Sequence, residues 1–223
     1  MENNNISKKK VFTVPIVLTI IIWITLFLPA GTIKFWQAWI FWLGFFIITF
    51  FIVGYFIKRN PEFLVRRTKM KQAKQNKKTP AFLKAYYIGF ILPGIDFRFH
   101  WSNEPLWIVI LSNIIVFVAY IFIFYVFKEN SYASTVIQVE NEQHVISSGP
   151  YSIVRHPMYL GMIIMMLFMP LALGSYISII PMFLIIPITV IRIKNEEEVL
   201  LKELNGYKDY CLKIQYRLIP LIW

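Results

Sequence analysis

The sequence predicts an all-α, polytopic membrane helical bundle with five or six transmembrane helices. Three observations carry this expectation. The 223 residues are 57% hydrophobic and 17% aromatic, with positive mean hydropathy, a composition outside the range of ordinary soluble domains. Several apolar runs approach the ~20 residues that a helix needs to cross a hydrocarbon core of about 30 Å. The net charge of +11 gathers between those runs rather than within them.

Residues 11–30 form a first span and 35–57 a second, joined by the short turn Gly31-Thr32-Ile33-Lys34. The first run carries no small-residue cleavage pattern, so it reads as a retained span and not a removed signal. Ten cations against the single acid Glu62 then lie between Lys58 and Lys84, which is +9 of the +11. Beside membrane spans, such a loop fits the positive-inside rule and attraction to anionic headgroups, and no nucleic-acid partner is expected. Its KMKQAKQNKKTP portion has no apolar periodicity and reads as a solvated or surface-lying connector.

The run 81–95 is apolar but short, and Pro93-Gly94 interrupts it. It reads as a short span or a re-entrant piece, and that choice sets the count at six or five. DFRFHWSNEP, residues 96–105, has the mixed polar and aromatic character of an interfacial loop. A clear span follows from Leu106 to Phe127, and 129–156 is a moderately polar stretch. Runs 157–173 and 175–193, separated by Gly174-Ser175, make a second hairpin whose prolines are tolerated as in membrane helices. The end is amphipathic, with Val199, Leu200, Leu201 and Leu204 among charged residues, and Gly206 is expected to stop that helix. With the Lys8-Lys9-Lys10 tail and the basic loop in the cytoplasm, both termini and the 129–156 stretch lie there too. The chain then divides into N-terminal helices with the basic loop, 1–104, and a core, 105–223.

Cys211 is the only cysteine, which rules out an intrachain disulfide and a thiolate metal cluster. His100, His144 and His156 have no metal-ligand spacing, so no metal is expected. Chemistry concentrates instead in GPYSIVRHPMYLG, residues 149–161. Pro157 suits the first position of a helix, where its missing N–H costs nothing. A helix start presents free N–H groups and partial positive charge to a carboxylate or phosphate. Arg155 and His156 add donors there, and the Tyr151 and Tyr159 faces suit a cation or a purine. On these residues alone the cluster is either a site or a capped helix whose Arg155 snorkels to headgroups.

A second cluster, IRIKNEEEVLL at 191–201, lies at the end of the last span. Its three successive glutamates project about 100° apart, so one or two at most face a pocket. Both clusters fall on the same side of the membrane, one helical hairpin apart, and so can meet.

GPYSIVRHPMYLG, followed by NEEEVLLKELNGYKDY and YRLIPLIW, resembles the isoprenylcysteine carboxyl methyltransferase family, integral membrane enzymes that use S-adenosylmethionine. The resemblance covers roughly residues 105–223, and the same core resembles phospholipid methyltransferases. It implies methyl transfer to a lipophilic, membrane-embedded acceptor. The carboxylate of a prenylcysteine-like, isoprenoid or lipid substrate is favoured, with phospholipid or amine N-methylation as the alternative. It also implies cofactor contacts at Gln138, Gln143, His144, Val145, Ile146, Tyr151, His156, Pro157, Met158, Tyr159 and Glu197. The family's substrate arginine aligns with Ile193, with Arg192 adjacent. Arg192 and Arg155 are therefore the candidates to orient an anionic acceptor.

Physical chemistry agrees with that carry-over. The cofactor's carboxylate suits the helix start at Pro157 with His156, its ammonium Glu197, and its sulfonium and adenine the tyrosine faces. No G-x-G occurs, so a soluble Rossmann-type fold is not expected. An NADPH-dependent membrane reductase is a competing reading, since sterol reductases are distantly similar in their C-terminal helices. A transporter or scaffold fits less well, because nearly all charges lie at span ends and not at the midplane.

Overall fold

The computed structural model describes residues 8–68, 79–133, 137–139 and 142–223; most of the KMKQAKQNKKTP connector lies outside them. Among the described residues the chain is helical and contains no strand. Helix α1 (Lys8–Ala30) turns at Gly31 into α2 (Trp36–Arg59). Gly31 adopts φ +66°, a left-handed conformation that a side chain would oppose. Asn60 then breaks the chain, and its side-chain carbonyl accepts the Phe63 N–H at 3.2 Å to start the short α3 (Pro61–Thr68). Next come α4 (Thr79–Phe99) and α5 (Leu106–Glu129). A 3-10 turn at Gly149–Ser152 leads into α6 (Pro157–Ala172). The short α7 (Ile179–Met182), α8 (Ile185–Glu203) and α9 (Tyr207–Lys213) complete the order.

Among the described residues the long helices are α1, α2, α4, α5, α6 and α8. Three of these helices contain windows long and apolar enough to cross a membrane, Thr13–Ala30, Trp36–Arg59 and Leu106–Glu129. A third or less of each window is buried inside the protein, and Leu18, Ile47, Phe51, Val118 and Ile121 project outward. Water would penalise those faces and lipid chains would not. The chain is an integral, multi-pass membrane protein.

One core joins both halves of the sequence. Leu26 of α1, Phe41 of α2, Phe90 of α4, Val116 of α5, Met169 of α6 and Met182 of α7 pack in a single buried cluster. Two glycines set how closely its helices approach. A Cβ on Gly94 of α4 would fall 2.5 Å from the Leu26 carbonyl oxygen of α1. One on Gly161 of α6 would fall 2.7 Å from Ile123 of α5. The final glycine of GPYSIVRHPMYLG is therefore a small-residue helix contact of the kind membrane bundles use.

Three boundaries differ from the sequence expectation. Residues 81–95 are not interrupted at Pro93-Gly94: they lie within α4, one helix of 21 residues that contains Pro93. Second, DFRF is helical, and Asp96 is 1% exposed instead of lying in an interfacial loop. Its carboxylate accepts hydrogen bonds from the Ser102 N–H and hydroxyl, each at 2.7 Å, and from the Ser175 hydroxyl. The decisive donor is 79 residues away, beyond what a local reading can find. Third, the last helix stops at Leu204, and Gly206, with φ +81°, opens α9. Because the turns at Gly31, Asp96–Pro105 and Leu173–Ser178 share one end of the bundle, the start of α6 and the end of α8 share the other.

Candidate functional site

Arg155 and His156 reach the start of α6 in a way that the motif alone does not specify. Their N–H groups donate to the carbonyls of Tyr216 and Arg217, both at 2.9 Å, so the C-terminal segment lies alongside them as a short extended partner. The Arg155 guanidinium continues that attachment, donating from Nη1 to the Ile214 and Gln215 carbonyls at 2.8 and 3.0 Å. Within the first turn of α6, the Tyr159 and Leu160 N–H groups return to the His156 carbonyl. With Pro157 lacking an N–H, Met158 keeps the one free backbone donor of that turn.

Beneath the helix start lies a charge cluster centred on Glu197, which is 5% exposed. Its Oε1 accepts from Arg155 Nε at 2.7 Å, with His156 Nε2 at 3.2 Å, and its Oε2 accepts from Arg217 Nε at 2.7 Å. Burial works to raise its pKa, but the hydrogen bonds from His156, Arg155 and Arg217 outweigh it and hold the carboxylate down at about 2. Glu197 is thus ionised and fully partnered. The Arg217 guanidinium stacks 5.2 Å from the Trp223 ring centroid, which fixes the tail to the same cluster.

Glu196 faces differently. Its Oε2 accepts from the Tyr159 hydroxyl at 2.6 Å, and that hydroxyl accepts from Arg192 Nε at 2.8 Å. Its Oε1 stands 3.8 Å from His156 Nδ1, so it retains acceptor capacity toward the adjoining cavity.

That cavity is walled by four segments: 130–146, Tyr151 with the α6 start, the Glu196–Leu204 turn of α8, and Tyr207 with Tyr210 of α9. It encloses about 90 Å³, against the roughly 300–1,000 Å³ of ordinary small-molecule pockets. Its donor set is nevertheless specific. Tyr207 lines the cavity and is buried, and beyond the weakly bonding thiol of Cys211 its hydroxyl has no hydrogen-bond partner among the described residues. An orphan of this kind calls for a polar ligand atom or water. Burial, aided by the charge of Glu197, keeps the Tyr207 phenol protonated and therefore a donor. Tyr210 is likewise kept protonated by burial, and it donates to the Tyr151 carbonyl at 2.7 Å.

Of the residues expected at a cofactor, the structure brings Gln138, Gln143, His144, Val145, Ile146, Tyr151, His156, Met158 and Tyr159 to this one cavity. Arg155 also reaches its wall, and it is committed to Glu197 instead of snorkelling outward. Pro157 and Glu197 do not line it, and Arg192 stands behind Tyr159. Glu196 lines the cavity, while both oxygens of its neighbour Glu197 are engaged by Arg155, His156 and Arg217. Tyr207 and Tyr210 were not singled out by sequence, although both lie in the quoted G-Y-K-D-Y. Among the described residues no three His, Cys, Asp or Glu side chains cluster as a metal site would need.

Comparisons with known proteins bear on this half of the chain. Residues 107–208 match the phospholipid methyltransferase family. Over 85 residues the chain is 31% identical to the Delta(14)-sterol reductase TM7SF2 of Mus musculus, which is 36% of this chain and 20% of that protein. The chain thus spans about a fifth of the length of this curated relative. A solved structure of the eukaryotic intramembrane Ras methyltransferase ICMT, an isoprenylcysteine carboxyl methyltransferase, aligns over 99% of this chain and 87% of its own, at 19% identity and a TM-score of 0.46. The segment that matches the phospholipid methyltransferase family, 107–208, carries both R-H-P-M-Y and the glutamates.

Proposed function

We propose that this protein transfers a methyl group from S-adenosylmethionine to a membrane-held acceptor, in the cavity between the α6 start and α8. The observation that supports this most is the convergence of four sequence-distant segments on one cavity. They bring together a carboxylate with spare acceptor capacity, a buried donor phenol and a free helix-start N–H. These groups fit a molecule carrying an ammonium, a carboxylate and a purine. Glu196 would hold the ammonium, the Met158 N–H and His156 the carboxylate, and Tyr151 and Tyr207 the ring system. When bound, the cofactor supplies an electrophilic methyl on a sulfonium.

The remaining work is positioning. The favoured acceptor is a carboxylate on a prenylcysteine-like, isoprenoid or lipid molecule. Such a nucleophile is already ionised at neutral pH, so alignment and exclusion of water suffice and no general base is required. Arg192, braced on the Tyr159 hydroxyl, orients that anion at the edge of the cavity. Arg155 is a positioning residue that holds Glu197 and the tail. An amine acceptor would instead have to surrender a proton, and among the described residues Glu196 is the carboxylate lining the cavity that could take it.

The partial identity with a sterol reductase supports a second reading, an NADPH-binding site. A 2′-phosphate needs basic partners. Among the described residues no lysine lines the cavity, and the one arginine that does, Arg155, is already paired with Glu197. Incubating the purified protein in lipid with radiolabelled S-adenosylmethionine and either prenylcysteine analogues or a membrane lipid extract tests the proposal. Label in the organic phase is expected, and base-labile label would assign a carboxyl ester. No transfer to any lipophilic acceptor would refute it.

A further inference from the structure

At the end of the bundle away from the cavity, Arg98 closes the last turn of α4. It is exposed, and among the described residues it forms no salt bridge. Its guanidinium lies 5.8 Å from the centroid of the Phe99 ring. The guanidinium lies over the α1–α2 turn, where a Cβ on Gly31 would sit 3.6 Å from Cζ and Nη1. Lys34, also exposed, follows in the same turn.

Below this charge, Trp23, Ile24, Phe27, Leu28, Gly31 and Ile33 form an apolar groove of about 580 Å³ on the outer face of α1. From Trp23 to Gly31 the groove descends about 12 Å along the helix. The candidate span on α1 ends at Ala30, so the groove starts at the span's end and runs inward. Trp36, Phe99, Trp101 and Trp107 are exposed around the same end, where aromatic side chains of membrane proteins mark the headgroup level. An unpaired guanidinium at headgroup depth, above a chain-shaped apolar groove, has the complementarity of one amphiphile: an anionic head with a hydrocarbon tail.

We propose that this end of the bundle binds an anionic phospholipid, its phosphate on Arg98 and one acyl chain lying along the Trp23–Gly31 face of α1. The guanidinium offers five donors in a planar fork suited to a phosphodiester. The groove makes the occupant a lipid and not a free phosphate, because a bare anion would leave the apolar walls uncovered. This site is at the opposite end from the cavity and does not depend on the function proposed for it.

The test uses the full chain in nanodiscs of phosphatidylcholine with phosphatidylglycerol titrated in, and native mass spectrometry after mild detergent release to count retained lipids. One phosphatidylglycerol is expected to stay bound per chain, with a saturable rise in the thermal midpoint. Arg98→Gln should weaken retention about tenfold, as loss of a charge-assisted contact does. Ile24→Trp, which fills the groove and leaves Arg98 intact, should do the same. Equal retention of phosphatidylcholine, unchanged retention in Arg98→Gln, or the same thermal shift from inorganic phosphate alone would each overturn the proposal. Retention in Ile24→Trp equal to wild type would also overturn it, because the groove would then hold no chain.

Discussion

Replacing Glu197 with alanine removes the hub of three donors and leaves the Arg155 side chain, 6% exposed, without its counter-charge. Breaking a buried pair by deleting one partner costs about 3–5 kcal/mol. Arg155 keeps its bonds to the Ile214 and Gln215 carbonyls, which places the loss near the lower figure. The depression of Glu197 from its ordinary 4.5 to about 2 gives an independent ceiling of about 3 kcal/mol. That stabilisation is fully present above the unfolded-state value and is lost as pH falls from about 4.5 to about 2. Denaturant unfolding in bicelles at pH 7, followed by tryptophan fluorescence, should show Glu197→Ala destabilised by about 3 kcal/mol. Glu203→Ala, on an exposed position of the same helix, should change stability by about 0.5 kcal/mol or less. Indistinguishable curves for the two variants would refute the idea that Glu197 anchors the α6 start to the tail.

Gly161→Ala forces a methyl against Ile123 and Phe122. It should lower stability by about 1–3 kcal/mol, with cofactor affinity in the surviving fraction unchanged by calorimetry. Tyr159→Phe removes the hydroxyl that links Arg192 to Glu196; a contact of that strength corresponds to roughly tenfold or more. The increase should fall on KM for an anionic acceptor more than on cofactor binding, as steady-state kinetics would show. Glu104 gives the opposite pH response to Glu197. Burial, and then the charge of Asp96, push its carboxyl up to about 8, and neither oxygen has a hydrogen-bond partner among the described residues. The folded state therefore holds a proton that the unfolded chain releases near 4.5, so stability falls as pH rises between about 4.5 and 8. Glu104→Gln should flatten that slope. At pH 8 it should stabilise the protein by about 1–2 kcal/mol once solvent screening of the half-buried group is discounted, as unfolding across pH would measure.

The membrane bundle was legible because apolar runs of span length depend on composition and not on partners. The α6 start was legible for a similar reason: Pro157 marks a helix start from its own chemistry, and the adjoining residues are brought to the cavity with it. What the sequence could not supply depended on long-range pairing. Asp96 reads as a loop aspartate until Ser175 is beside it. Glu196 and Glu197 are adjacent and about 100° apart on a helix, so choosing between them requires knowing that Arg217 returns from the tail to occupy one. YRLIPLIW was quoted as part of a motif, yet its backbone role, accepting the Arg155 and His156 N–H groups, has no side-chain signature. Resemblance assigned the cofactor glutamate to Glu197, whereas geometry gives the cavity-facing carboxylate to Glu196.

The central claim is that this cavity takes S-adenosylmethionine, with Glu196 meeting its ammonium. Isothermal calorimetry on the full chain in nanodiscs, titrated with S-adenosylmethionine and separately with NADPH, tests it most directly. Saturable 1:1 binding of S-adenosylmethionine is the predicted result, weakened about tenfold or more by Glu196→Gln and unaltered by Glu203→Ala, with no heat from NADPH. Binding of NADPH in place of S-adenosylmethionine, or wild-type affinity in Glu196→Gln, would contradict it.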